Sequence, residues 1–212
     1  MRIIILTAFF LVRFTLNAQI NAGDENDKTF HVFEGGFALG FNMSQVNGDL
    51  FAGFNRLGLN TGPVLHINFS EQWFLNMEIL FTQKGSHATP AQANNLGYTY
   101  NLRFNYVELP LMMGYNDNNR LIFQAGLAYA RLFKVLEEIN GANTTDEDKF
   151  EGMEISYLLG GTILLGEKKH YGLDIRYQSS ITSVGVPRDP RFTGMVNALI
   201  SIRGIYFFNL RP

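Results

Sequence analysis

Eight stretches of this 212-residue chain alternate apolar and polar side chains with a period of two. No other feature restricts the fold as much. Successive side chains on a strand point to opposite faces, so this period means strands whose two faces meet two different environments. The stretches are 34–43, 56–69, 73–84, 98–115, 121–134, 153–165, 171–178 and 195–208. In the third, Leu75, Met77, Ile79 and Phe81 alternate with Asn76, Glu78, Thr82 and Lys84. In the sixth, Ile155, Tyr157, Leu159, Ile163 and Leu165 oppose Glu154, Ser156, Gly160 and Thr162, and in the seventh Leu173, Ile175 and Tyr177 oppose Asp174, Arg176 and Gln178.

The fourth stretch is less regular. Tyr100, Leu102, Phe104 and Tyr106 alternate with Asn101, Arg103 and Asn105, and Pro110 follows. A proline inside a ladder calls for a bulge or an edge, so the expected reading is a bulge at 108–110 with a change of phase. The connections also alternate. They are short at 70–72, 116–120 and 166–170, and longer at 44–55, 85–97, 135–152 and 179–194. Short turns at one end and long loops at the other are the rhythm of a membrane barrel.

The chemistry of the faces separates a soluble barrel from a membrane one. A soluble barrel is apolar inside and polar outside; in lipid the polarity inverts. Here the polar face carries Glu, Arg and Asp together with many Gly, Ala and Ser, which suits a crowded interior, and the apolar face carries Tyr and Phe near strand ends, as interfacial girdles do. The expected fold is all-β: an eight-stranded antiparallel up-and-down transmembrane barrel over 33–210, preceded by a signal peptide at 1–18 and a polar segment at 19–32. The start, MRIIILTAFFLVRFTLNAQINA, has Arg2, an apolar run over 3–12 and a small Ala18 after which cleavage is expected. That run is too short to cross a bilayer as a helix, which takes about 20 residues.

Composition excludes several classes. Aromatic residues at 14%, 21 glycines and only 17% charge favour strands over helices. A net charge of -2 supplies no basic face for nucleic acid. The absence of cysteine removes both a disulfide framework and a lipidated cysteine anchor.

With the polar face inward, the lumen is expected to hold Glu78, Glu108, Glu154 and Asp174 with Lys84, Arg103, Arg176 and Arg203, and His66 beside them. Acids and bases nearly balance, which is what an enclosed core demands, because an isolated buried ion costs several kcal/mol. Eight strands leave room for side chains and little for water.

Several segments in order, FALGFNMSQVNGD, FAGFNRLGLNTG, NMEILFTQKGS, YVELPLMMGY, QAGLAYARL and LDIRYQSSIT, resemble the PorT-like outer-membrane β-barrel family of Bacteroidetes, over 33–208. The resemblance implies an eight-stranded barrel of the Gram-negative outer membrane inserted by the barrel-assembly machinery. It takes its name from a component implicated in type IX secretion and gliding, which makes an accessory role there one functional alternative.

Candidate chemistry is sparse. His31, His66, His87 and His170 show no metal-ligand spacing, and no cofactor is expected. His66 with Ser156 or Ser201 and Glu78 could make a hydrolase that modifies membrane lipid, although GxSxG is absent. The acidic loop 135–152 carries Glu137, Glu138, Asp146, Glu147, Asp148 and Glu151, and the loop 179–194 holds Arg188 and Arg191, which could meet lipid phosphates. VNGDLFAGFNRLGL, which has the glycines and the acid of a ligand loop but no complete motif, reads as the first outer hairpin connection. The expected role is non-catalytic, structural or adhesive, through the outer loops. Expected partners are outer-membrane lipid and lipopolysaccharide and an envelope protein.

Overall fold

The computed structural model describes residues 32–49, 51, 53–117, 120–186 and 194–208. The expected signal peptide, His31, Arg188 and Arg191 lie outside the described residues. Along the chain come β1 (Phe33–Asn47), β2 (Arg56–Asn68), β3 (Trp73–Glu78), β4 (Leu80–His87), α1 (Pro90–Leu96), β5 (Tyr100–Asn116), β6 (Leu121–Ile139), β7 (Ala142–Asn143), β8 (Met153–Leu165), β9 (Tyr171–Ser180) and β10 (Val196–Phe207).

Among the described residues these strands make eight staves. β3 and β4 are one stave, because Val64↔Glu78 and Thr61↔Phe81 keep a single register against β2, as Met77↔Leu111 and Leu80↔Glu108 do against β5. The stave is interrupted at Ile79, whose N–H donates to Pro63; the proline has no N–H to return the bond. β7 only folds back on the end of β6. Each stave pairs antiparallel with its neighbours, and β10 closes the ring on β1.

The pairing also fixes the tilt. From Gly35, directly paired residues lead through Leu65, Met77, Leu111, Leu127, Tyr157, Ser179 and Ala198 back to the first strand at Gln45, ten residues further along. Over eight staves, at strand spacings of about 4.8 Å and a rise of about 3.3 Å, this stagger is a tilt of about 40° and a radius of about 8 Å. Such a cylinder is filled by its own inward side chains.

The faces are inverted as expected. Leu57, Leu39 and Ile79 are 64%, 59% and 56% exposed, whereas Asn42, Asn76, Thr82 and Asp174 are wholly buried. Two aromatic belts bound the apolar wall. Trp73 packs edge-on to Tyr115 and Tyr171 lies against Tyr206 at the short-turn end; Phe81 with Phe133 and Tyr157 with Tyr177 ring the loop end.

β5 departs from expectation. It keeps one phase throughout, so Tyr100, Leu102, Phe104, Tyr106, Glu108, Pro110 and Met112 all point inward. The register shift lies between Asn105 and Tyr106, where Phe133 of β6 is the extra residue, and Pro110 stays in register with Ala128. Arg103, expected in the lumen, is therefore on the outer face and half-buried, and the four apolar residues expected toward lipid are inside. The loop 85–97 contains α1, whose start is a capping box: Thr89 and Gln92 bond each other's backbone N–H, with Pro90 at the first turn and Gly97 at the left-handed cap.

Candidate functional site

The lumen holds two ionic clusters, each built from several staves. In the one nearer the short turns, Glu78 of β3 receives a two-pronged bond from Arg176 of β9, Nη1 to Oε2 at 2.9 Å and Nη2 to Oε1 at 2.7 Å. Arg203 of β10 donates to Glu78 at 2.9 Å, to Asp174 at 2.9 and 2.8 Å, and to Asn60 at 3.2 Å. Arg176 Nε is 3.0 Å from Asp174, whose other oxygen accepts from Thr162 at 2.7 Å. Two guanidinium groups face two carboxylates, so the set is neutral; Arg203 donates from all three of its nitrogens and Arg176 from both terminal ones.

Small residues make the space. An added Cβ on Gly160, beside the fork, would come 2.6 Å from Arg176 Cγ. The second cluster, toward the loops, sets the Lys84 ammonium 2.8 Å from Glu108 and 2.7 Å from Glu154. Gln178 donates to Glu108 and to Ser156, Asn197 donates to Glu154, and the ammonium lies 5.1 Å from the centre of the Tyr106 ring. Two carboxylates share one cation here, and side-chain amides supply the remaining donors.

Apolar layers close both ends. At the mouth, Phe51 of the first loop stacks on Tyr100 at 4.7 Å, Phe150 of the third packs edge-on to Phe104 at 5.1 Å, and Val184 and Met195 of the last join the same cluster. Asp49 sits just before Phe51 and accepts its N–H at 2.8 Å, closing a local turn; burial pushes its carboxyl up from the ordinary value. The glycine-rich stretch is thus a hairpin connection that delivers Phe51 into the mouth. At the other end His66 lies between Phe74 at 4.3 Å and Phe207 at 5.0 Å, with Glu34 4.0 Å away.

Of the nine residues expected in the lumen, Glu78, Lys84, Glu108, Glu154, Asp174, Arg176, Arg203 and His66 are inside, and Arg103 is not. The hydrolase set is not gathered: Ser156 accepts from Gln178, Ser201 donates to Asn42, and His66 is enclosed by aromatic rings. Glu137, expected in a solvated acidic loop, is buried because β6 runs on to Ile139, and it accepts from the Tyr100 hydroxyl. Asp146, Glu147 and Asp148 remain exposed. Unforeseen were the amides Asn76, Gln124, Gln178 and Asn197, which complete the clusters, although each occupies the polar face of its strand.

A closed stave ring with an ionic interior and an apolar wall has its counterpart among known sequences. The family model for the outer membrane protein β-barrel domain matches residues 15–185. The chain belongs to that family. It is a β-barrel of the Gram-negative outer membrane. Neisserial surface protein A has a similar structure, at a TM-score of 0.52 and 8% identity over 83% of this chain and 97% of that one. The attachment invasion locus protein Ail of Yersinia pestis matches at 0.49 and 13% identity, over 84% of this chain and all of Ail. Likeness at these identities concerns the fold. No curated protein matches the sequence.

Proposed function

We propose that this barrel is a non-catalytic structural and interaction protein of the outer membrane, acting through its outer loops on a partner in the envelope or beyond it. The observation that carries this reading is the filled lumen. Ion-paired side chains occupy its middle, and loop residues Phe51, Phe150, Val184 and Met195 close its mouth. The interior is committed to holding the staves together, which leaves the loops and rim as the surface available for recognition, including the exposed run Asp146, Glu147 and Asp148. Insertion by the barrel-assembly machinery belongs to the same proposal.

A photo-crosslinking residue at Glu147, compared with one at Leu111 on the lipid-facing wall, tests it in native envelopes. The expected result is a discrete protein adduct from the loop position only. Adducts absent from Glu147 and from equivalent positions on the other loops would overturn the interaction role. The PorT-like sequence resemblance supports a second reading, an accessory part in type IX secretion or gliding. Deleting the gene should then impair export of type IX cargo, and unchanged export would remove that reading.

A further inference from the structure

The apolar wall is not smooth. A cleft of about 640 Å³ indents its lipid-facing side, bounded by Pro63, Ile79, Leu111, Leu127, Tyr129 and Ile155. It lies where the stave formed by β3 and β4 is interrupted opposite Pro63. Its size is that of a small-molecule site, and in the bilayer its surroundings are hydrocarbon.

Three cations stand over this cleft on the loop side. Leu109 of β5 also borders the cleft, and the next outward positions along the strand are Val107, Asn105 and Arg103. Val107 pairs with Arg131 and Asn105 with Lys134. Arg103, Arg131 and Lys134 therefore share one outer face: Arg103 and Lys134 lie just beyond the belt marked by Phe81 and Phe133, and Arg131, paired with Val107 opposite Phe81, lies at it. From Leu109 to Arg103 is about 20 Å along the strand, or about 15 Å along the membrane normal at the tilt above, which is half of a hydrocarbon core of about 30 Å. Arg103 thus lies at headgroup height when the cleft lies in the acyl layer, whereas Lys134, level with Asn105, and Arg131, level with Val107, start about 13 Å and about 7 Å along the strand from Leu109, and long cationic stems of this kind run along apolar surface to place their charge at the headgroups.

None of the three forms an ion pair with a described residue, and Arg103 Nε is shielded from solvent yet has no hydrogen-bond partner. Glu138, a carboxylate on the same outer face, accepts from Asn101 at 2.6 Å and lies near Arg56, itself close to Arg103, so with four cations to this one carboxylate the patch stays positive. Unpaired cations on one outer face, with a desolvated guanidinium N–H among them, suit an anion with several acceptor oxygens, such as phosphate.

We propose that this face, from β2 to β8, binds one phosphorylated and acylated glycolipid of the outer leaflet, the lipid A moiety of lipopolysaccharide. An acyl chain occupies the cleft, and phosphate oxygens accept from Arg103, Arg131 and Lys134. The long-loop end places the cations at the external leaflet, where such a lipid presents its phosphates.

Native mass spectrometry of the full-length barrel in detergent, titrated separately with diphosphoryl lipid A, its dephosphorylated form and phosphatidylglycerol, tests the proposal. Expected is one retained diphosphoryl lipid A, favoured at least about ten-fold over either other lipid, as two or more charge-assisted contacts would give. The triple variant Arg103→Gln, Arg131→Gln, Lys134→Gln should lose that preference. Leu127→Trp, which fills the cleft from its exposed side, should weaken binding with the cations intact. Because all four positions face outward, retained heat-modifiable gel mobility checks that the variants are folded. Equal binding of phosphatidylglycerol, or undiminished binding by the triple variant or by Leu127→Trp, would overturn it.

Discussion

Glu78 receives both arginine forks, Arg176 and Arg203, and none of the three side chains has access to solvent beyond a few per cent. Removing one partner of a buried ionic set leaves the others desolvated and unmatched, so Glu78→Ala should destabilise the barrel by about 3–5 kcal/mol. Urea unfolding in lipid vesicles, followed by tryptophan fluorescence from Trp73, measures this. Arg103→Gln offers the contrast. Lying on the outer face, it should change stability by less than about 1 kcal/mol, whereas a lumen position would give a loss like that of Glu78→Ala. The charged lumen residues were legible in the sequence because they fall on the polar face of strands with lipid on the other side. Arg103 was not. Near the mouth the interior turns apolar to receive Phe51 and Phe150, so polarity there no longer tells inside from outside.

At the scale of elements, the eight staves followed from the period of two, and β8 coincides with its sequence expectation over 153–165, whereas β1 and β6 run on to Asn47 and Ile139, past the expected ends at 43 and 134. The proline of β5 misled because the extra residue sits on the partner strand, at Phe133, where nothing in β5 itself reports it. α1 is a different case. Thr89, Pro90 and Gln92 spell a capping box with proline at the first turn, a local signal that was present within a loop segment. Thr89→Ala should cost about 1 kcal/mol in that helix alone. Hydrogen exchange should show faster exchange at the Ala93 and Gly97 amides, which donate to Thr89 and Ala93, with the staves unchanged. Packing inside the staves is tighter. An added Cβ on Gly114 would come 2.1 Å from the Phe74 ring. Gly114→Val should therefore destabilise the short-turn end by about 1–3 kcal/mol, read as a lowered urea midpoint, and an unchanged midpoint would show that Phe74 does not cover that position.

For the whole molecule, the decisive arrangement is an ionic interior held by neutral or nearly neutral clusters, apolar layers at both ends and a wall that faces hydrocarbon. The closed ring and its antiparallel order were legible from strand number and loop rhythm. The sealing of the mouth was not, because the residues that form it come from loops whose sequences carry no strand period. Conductance of the purified barrel across a planar bilayer tests the filled lumen most directly. With Lys84, Glu108, Glu154, Glu78, Arg176 and Arg203 paired across the interior, wild-type protein should give no sustained current steps above the bare bilayer. Stable, reproducible open-channel steps from the folded, heat-modifiable species would contradict a lumen closed by its own side chains.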